Sequence, residues 1–569
     1  MRTLSNMVII LLLSASLAAI TTAIQPSAVI DVKLLVNNQV VSETDDIFTC
    51  FNLDWWPVTK NDYGYYAWDK KSSIINLDID NQLIKNAVKA FNGKSILRLG
   101  GSLGDFVIYN VTNQASADGY CKYDEFSEPT NTTRIGYDFF SGCLNMDRWD
   151  SLNSFCVEND CNIAFGLNAL YGRNIPYNQC APDVNCHSNS SMNSCCTNVT
   201  GNWDPSQSEL LIRYSKEKNY KIYAYELGNE LVGDKGIQSH ISVEDYLVDW
   251  HSFTSVLNDV YSDNMDEKPY TVVADTTWMS SWYGAFLDAI PDDSKPDVVT
   301  HHLYSMGPGV DPNLWEYALN VTYLDKVRVL GADVNKVVST YSPSSSIWLG
   351  EGGGAYNSGG NNTTNSFNSG FWFLDQIASF AVNGHGAYCR QTLVGGYYSL
   401  LDTSSFVPNP DYYSLLLFSK LMSTQVISAS TKYTDAVSDQ LRVYAHCTAP
   451  TSANYKAGSV TVLVINLSNN LAFSIDNIEG ANGKNYLRKS DRYEYILSSY
   501  YSDADERTLL ASRQVMLNGK LLEVVNNEIP SVDGENVSRL HGTSSVMKPL
   551  TYGYLEFPDA GEITLCANA

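Results

Sequence analysis

The sequence predicts an α/β fold, a (β/α)8 TIM barrel with a C-terminal all-β sandwich domain. Strand-like and helix-like segments alternate over residues 83–391, and beyond about Leu416 the helical spacing gives way to short strands and tight turns. Length agrees, because 569 residues exceed one ordinary domain and suit a large barrel with one companion. The expected division is a signal peptide over residues 1–23, the barrel over 24–415 and the sandwich over 416–569.

Each element follows from spacing. The chain opens on an apolar run, residues 7–20, that stops at Thr21-Thr22-Ala23, the pattern of a signal peptide cleaved after Ala23. An extended run over residues 28–41 is expected to add a strand to the C-terminal domain. Leu83, Ile84, Ala87, Val88 and Phe91 fall on one helix face, Asn92-Gly93 ends that helix, and residues 95–99 form a buried strand. The unit recurs with a strand at 161–167, a helix at 208–216, a strand at 221–227, and a helix at 243–261 capped by Ser242 and Asp245. Strands at 270–274, 298–304 and 347–349, a helix at 371–382 and a strand at 387–391 complete the series. In the second domain, residues 459–467 read as a strand and 515–517 pairs with 521–524 across an Asn518-Gly519 hairpin turn.

Composition narrows the function classes. The formal net charge of −25 repels nucleic acid, anionic membranes and densely sulfated polymers, so no nucleic-acid partner is expected. No later stretch is apolar for long enough to form a transmembrane anchor. Behind a signal peptide, 12 cysteines point to disulfides, and nine sequons (Asn110, Asn131, Asn189, Asn198, Asn320, Asn361, Asn362, Asn466, Asn536) fit a secreted, or lysosomal or endosomal, glycoprotein. The 37 Tyr and 11 Trp suit a cleft that stacks on sugar faces.

Barrel enzymes carry catalytic groups at the C-terminal ends of their strands. Two glutamates have that position: Tyr223-Ala224-Tyr225-Glu226-Leu227-Gly228-Asn229-Glu230 runs from strand into loop, and so does Ile347-Trp348-Leu349-Gly350-Glu351. Retaining glycoside hydrolysis needs one protonated carboxyl and one carboxylate about 5–5.5 Å apart, a geometry that Glu230 and Glu351, on different strands of one barrel mouth, can meet. Asn229 is placed to donate to the sugar 2-hydroxyl. This chemistry calls for no cofactor and no metal, and an acidic optimum follows if Glu230 must be protonated to act.

Motif order adds a resemblance. Leu97-Arg98-Leu99-Gly100-Gly101, Phe165-Gly166-Leu167-Asn168-Ala169-Leu170, Glu226-Leu227-Gly228-Asn229-Glu230, Thr300-His301-His302-Leu303-Tyr304, Trp348-Leu349-Gly350-Glu351, Arg390-Gln391, Pro410-Asp411-Tyr412-Tyr413 and Leu441-Arg442-Val443-Tyr444-Ala445-His446-Cys447 occur in the order found in heparanases. The chain resembles the heparanase-like glycoside hydrolases, family 79, over nearly its whole length. The resemblance implies cleavage of a β-linked glucuronic-acid-containing glycan with retention. It carries the acid/base and nucleophile roles to Glu230 and Glu351. It places Asp54, Ser102, His301, Tyr356 and Tyr398 around the sugar, with Tyr398 and the backbone near Asn357 and Ser358 on its carboxylate. It also implies a Cys447–Cys566 disulfide and a partner for Cys121 in Cys156 or Cys161. Cys180, Cys186, Cys195 and Cys196 lie in an insertion the family lacks and are expected to form two disulfides stapling a surface loop, with a zinc site as the lesser alternative.

The departures concern substrate. Where heparanases carry Lys and Arg clusters, this chain has Asn145-Met146-Asp147-Arg148-Trp149-Asp150 and Thr276-Thr277-Trp278-Met279-Ser280-Ser281-Trp282, and Leu303 and Pro308 replace a Tyr and an Arg. Weakly charged glucuronides are therefore expected ahead of heparan sulfate, with a heparan sulfate endoglucuronidase and a non-catalytic glycan-binding protein as the competing readings. The segment between Asp105 and Cys156 is shorter than the linker excised in heparanases, so a single-chain enzyme is expected, and separately a monomer.

Overall fold

The structure is a computed structural model, and it describes residues 26–56, 68, 72–112, 142–174, 199–232, 239–433, 439–479, 492–501, 504–537, 544–558 and 565–566. Eight parallel strands close a barrel in chain order: Thr49–Asp54, Ser95–Gly100, Asn162–Leu167, Ile222–Leu227, Tyr270–Val273, Val298–His302, Ser346–Gly352 and Ala387–Arg390. A helix follows every strand, the last being Pro410–Leu421. The (β/α)8 expectation thus holds in full.

Local chemistry sets the boundaries. Helix Gln82–Lys89 starts where the Asn81 side chain accepts the Leu83 and Ile84 N–H groups, and it ends at Asn92 and Gly93, both with positive φ. Ser242 caps helix Val243–Val260 by accepting the Asp245 N–H at 3.1 Å. Pro410 opens the eighth helix, where a missing N–H costs nothing. Because this helix continues to Leu421, the expected boundary at 415/416 falls inside it, and the next strand begins at Met422.

Inside the barrel, small side chains such as Ala164, Ala224 and Val272 face Trp348 in one packed layer. Side chains two residues further along each strand stand above that layer. Thus Ile96 is followed by Arg98, Ala224 by Glu226, and Val298 by Thr300 and His302. This parity decides which residues reach the mouth.

The all-β domain is, among the described residues, one eleven-stranded sheet. Strand Ala28–Glu43 lies inside it, antiparallel to Met422–Tyr433 and parallel to Leu471–Glu479. The sheet curls until Asn466 Nδ2 on a central strand donates to the carbonyls of Met547 and Lys548 near its edge, giving a sandwich-like core around Val462, Phe473 and Leu555. The Asn518-Gly519 turn joins Val515–Leu517 to Lys520–Leu521, both turn residues having positive φ.

Helix Ser369–Val382, buried almost all round, joins barrel and sheet. Asp375 accepts the Tyr444 hydroxyl at 2.5 Å, and Arg442 reaches Asp325 at 2.9 Å.

Cys447 is bonded to Cys566. Cys156 and Cys161 pair with each other, which corrects the expectation that one of them serves Cys121; the helix end and the third strand bring them to a Cα separation of 4.5 Å. A further bridge, Cys50–Cys389, joins neighbouring residues of the first and eighth barrel strands and was not anticipated. Cys121 and the four cysteines of the insertion lie outside the described residues.

Candidate active site

The C-terminal ends of the barrel strands converge on Arg98, a fully buried guanidinium from the second strand. Its Nε donates to Glu226 Oε2 at 2.8 Å, Nη1 to Glu351 Oε2 at 3.3 Å, and Nη2 to Asn229 Oδ1 at 2.9 Å and to Asp275 Oδ2. One cation thus organises groups from the ends of the fourth, fifth and seventh strands.

Glu351 reaches the mouth through an irregularity. Trp348 and Gly350 have inward parity, but the pairing with the sixth strand shifts between Leu349 and Glu351, and the shift turns the Glu351 side chain into the site. Its Oε1 accepts the Tyr304 hydroxyl, while Oε2 faces Arg98. Burial holds the Tyr304 phenol well above the usual tyrosine range, so it remains a neutral donor.

Glu230 follows the fourth strand with φ 53, a left-handed conformation for a non-glycine residue. The loop is fixed from two sides: Asp105 accepts the Asn229 N–H at 2.9 Å and the Ala169 N–H at 2.9 Å, and the Asp275 carbonyl accepts the Glu230 N–H at 2.9 Å. Burial pushes the Asp105 carboxyl up to about 7, against the pull of the two N–H donors. Since Asn229 Oδ1 is taken by Arg98, its amide N–H groups remain for a substrate hydroxyl.

Between the two glutamates stands His302. Its Nδ1 is 2.9 Å from Glu230 Oε1 and 3.9 Å from Glu351 Oε2, and its Nε2 is 2.7 Å from Asp275 Oδ1. Glu230, His302 and Glu351 each place one ligating atom within 4.8 Å of the others. A divalent ion fits that donor set by type, yet Arg98 already supplies Glu351 with a cation.

Asp54 ends the first strand, accepts Gln391 Nε2 at 2.7 Å, and lies against Gly101, where a Cβ would come within 2.9 Å of its carboxyl carbon. Ser102 begins the turn just beyond that glycine. Tyr356 stands exposed at the rim with its ring 6.5 Å from that of Tyr304, and Tyr398 packs 6.3 Å from Tyr304 and 6.3 Å from Trp68. Asn357 and Ser358 both have positive φ, and the Trp68 indole donates to Ser358 Oγ at 2.6 Å.

His301 is the exception among the expected residues. It has outward parity and packs behind the barrel wall against Phe380, with its Nε2 2.8 Å from His385 Nε2. Burial holds it well below the usual histidine range. The site histidine is His302, and reading Val298, Thr300 and His302 as one face would have found it. Arg98, Asp275 and Tyr304 were also missed as site residues. The tyrosine surplus serves mostly packing: Tyr225, Tyr246, Tyr283 and Tyr388 are fully buried.

Known proteins share this sequence and fold. A family model described as Glycosyl hydrolase family 79, N-terminal domain, matches residues 31–378. Heparanase-like protein 1 of Arabidopsis thaliana is 37% identical over 540 residues, covering 91% of this chain and 92% of the relative. Baicalin-beta-D-glucuronidase of Scutellaria baicalensis is 33% identical over 537 residues, covering 93% of each. Among solved structures, the GH51 arabinofuranosidase from Xanthomonas axonopodis pv. citri aligns with a TM-score of 0.58 at 12% identity, over 93% of this chain and 100% of that one. At that identity the likeness speaks for the fold alone.

Proposed function

The chain belongs to glycosyl hydrolase family 79 and is a glycosidase acting on a glycan, and from this premise we propose that it cleaves β-linked glucuronides with retention of configuration. Glu230 is the acid/base and Glu351 the nucleophile. The observation that carries the reading is the approach of the two carboxylates, one oxygen of each lying within 4.8 Å of the other, close to the roughly 5–5.5 Å separation of retaining pairs and short of the roughly 6.5–9.5 Å of inverting ones. Tyr304 and Arg98 hold Glu351 as an oriented anion, while Glu230 faces a histidine. Glu230 protonates the leaving oxygen as Glu351 bonds to the anomeric carbon; water then releases the sugar with Glu230 as base.

The similarity to a glucuronidase supports glucuronic acid as the sugar. Tyr398, Tyr356 and the backbone of 357–358 receive its carboxylate, and Asp54, Ser102 and Asn229 its hydroxyls. Weakly charged glucuronides are favoured over heparan sulfate. Arg148, the one cation in its stretch, is spent on the carbonyls of Ile74 at 2.7 Å and Leu77 at 2.9 Å. Export through the secretory pathway, to the cell exterior or an acidic compartment, fits the leader and the disulfides.

An aryl β-glucuronide assay tests the reading. The parent should release the β-anomer first by NMR, and Glu351→Gln or Glu230→Gln should cost at least about 10²-fold in rate on an unactivated glucuronide. Equal rates for parent and both variants would sink the assignment.

A further inference from the structure

We propose that Asp275 is a positioning residue for the acid/base: through His302 it fixes which imidazole nitrogen faces Glu230, and so governs the proton that Glu230 delivers. This rests on the assignment of Glu230 made above.

The fold commits unusual backbone to Asp275. Ala274 and Asp275 are consecutive residues with φ 73 and 32, a conformation that persists only where surrounding contacts over-determine it. They do so here. The Asp275 N–H donates to Thr300 Oγ1 at 3.0 Å, and the Asp275 carbonyl accepts the Glu230 N–H at 2.9 Å. The carboxylate takes Arg98 on one oxygen and His302 Nε2, at 2.7 Å, on the other. Room for it exists because residue 350 is glycine: a Cβ there would stand 2.3 Å from Asp275 Oδ1.

The consequence is a defined tautomer. An Asp275 carboxylate neutralised by Arg98 can only accept, so His302 Nε2 carries the hydrogen. Nδ1 is then the nitrogen that meets Glu230 Oε1, at 2.9 Å, and one proton lies between them. In the first step the bond from the anomeric carbon to the leaving oxygen breaks with its electron pair on that oxygen. The oxygen takes one proton from the Glu230–His302 pair as Glu351 bonds to the carbon. In the second step water attacks the same carbon and returns one proton to the pair, and the bond to Glu351 breaks with its electrons on the carboxylate. The opposite tautomer would set an N–H against a protonated carboxyl and a lone pair against Asp275. Among the described residues, the charged and titratable groups around the imidazole are Asp275, Glu230 and Glu351 in contact, with Arg98, Asp54 and the neighbouring His301 acting through charge. An Asn at 275 can offer its amide N–H to Nε2 and so favours the wrong tautomer while keeping the shape, the same effect that replacing the aspartate of a Ser-His-Asp triad by asparagine has on its histidine.

Acid catalysis matters only when the leaving group is poor, which separates this role from a structural one. Asp275→Asn, His302→Asn and the double variant are assayed as full-length protein on a 2,4-dinitrophenyl and an alkyl β-glucuronide across pH. The expected result is a loss of about 10²-fold or more in kcat/KM on the alkyl substrate, less than about 10-fold on the activated one, an altered pH profile, and a double variant no worse than His302→Asn. Equal losses on both substrates, or additive losses in the double variant, overturn the proposal and leave the assignment of Glu230 standing. Should Asp275→Asn fail to fold, the leaving-group dependence of His302→Asn still decides, and its absence overturns the proposal. A parent inactive on both substrates overturns the functional reading, and the proposal with it.

Discussion

Asp54 lies between a cation that favours its charge and a carboxylate that opposes it. Burial pushes its carboxyl up to about 8, the neighbouring Glu351 charge adds to the rise, and Arg98 and the Gln391 hydrogen bond work against it. Below that value Asp54 is neutral and can donate to a sugar hydroxyl. The folded-state pKa is raised, so its contribution to stability is fully present below the ordinary carboxylate range and is lost as pH rises through about 8. Activity should follow the same window, since ionisation sets a second charge beside Glu351, the proposed nucleophile. On a 2,4-dinitrophenyl glucuronide, whose leaving group needs no acid and so does not report Glu230, the parent's kcat/KM is expected to fall above pH about 8, while Asp54→Asn, less active throughout, should lack that limb. A pH series from about 4 to about 9.5 checks this, and an unchanged alkaline limb in the variant would refute it.

Among the elements, the strands at the core of the curled sheet settle which sequons can carry sugar. Asn466 is fully buried, and its Nδ2 donates to Leu471, Met547 and Lys548 carbonyls, so a glycan there would remove three hydrogen bonds and force the sheet open. Asn110 is likewise buried, donating to Asn145 Oδ1 at 2.7 Å. Asn320 and Asn536 are exposed. Glycopeptide mass spectrometry on protein from a eukaryotic secretory host should find occupancy at the latter two and none at Asn466; an occupied Asn466 in folded, active protein would contradict the packing. Local signals made several elements legible. Asn92-Gly93, the Ser242 cap and the Asn518-Gly519 turn each announce themselves in the chain and stand where expected. Helix Val321–Tyr341 carried a signal that went unread, since its buried Leu324, Val327, Gly331, Val334 and Val338 recur at helical spacing behind an Asn320 cap. The first barrel strand, Thr49–Asp54, is six residues long, buried at every position and without alternation. Both glutamates were legible because each ends a recognisable strand. Arg98 was not, because a charged residue inside a strand gives no local sign of the acids that fold around it, and Asp275 was not, because it follows a short strand, Tyr270–Val273, in a turn whose positive φ at a non-glycine residue the sequence does not announce.

At the scale of the whole molecule, a barrel built from one chain has one seam, where its first and last strands meet. Here the seam is bonded. Cys50 and Cys389 are register partners, separated by 339 residues along the chain, and their bridge makes the closure of the barrel covalent. In the chain-entropy account, so long a loop contributes about 6 kcal/mol by restricting the unfolded chain, at the upper end of disulfide effects. The active site should notice little. Cys50 sits four residues before Asp54 on the same strand, roughly 13 Å below the mouth at about 3.3 Å per residue. The site is also held independently by the Arg98 network. Cys50→Ala/Cys389→Ala is therefore expected to lower the melting temperature by several degrees, while kcat/KM at 25 °C on an aryl glucuronide stays within about 3-fold of the parent. Calorimetry and kinetics on the same preparation check both halves. An unchanged melting temperature would mean that strand pairing alone closes the seam, and a large loss of activity at full folding would mean that the barrel floor and the catalytic mouth are coupled along the first strand.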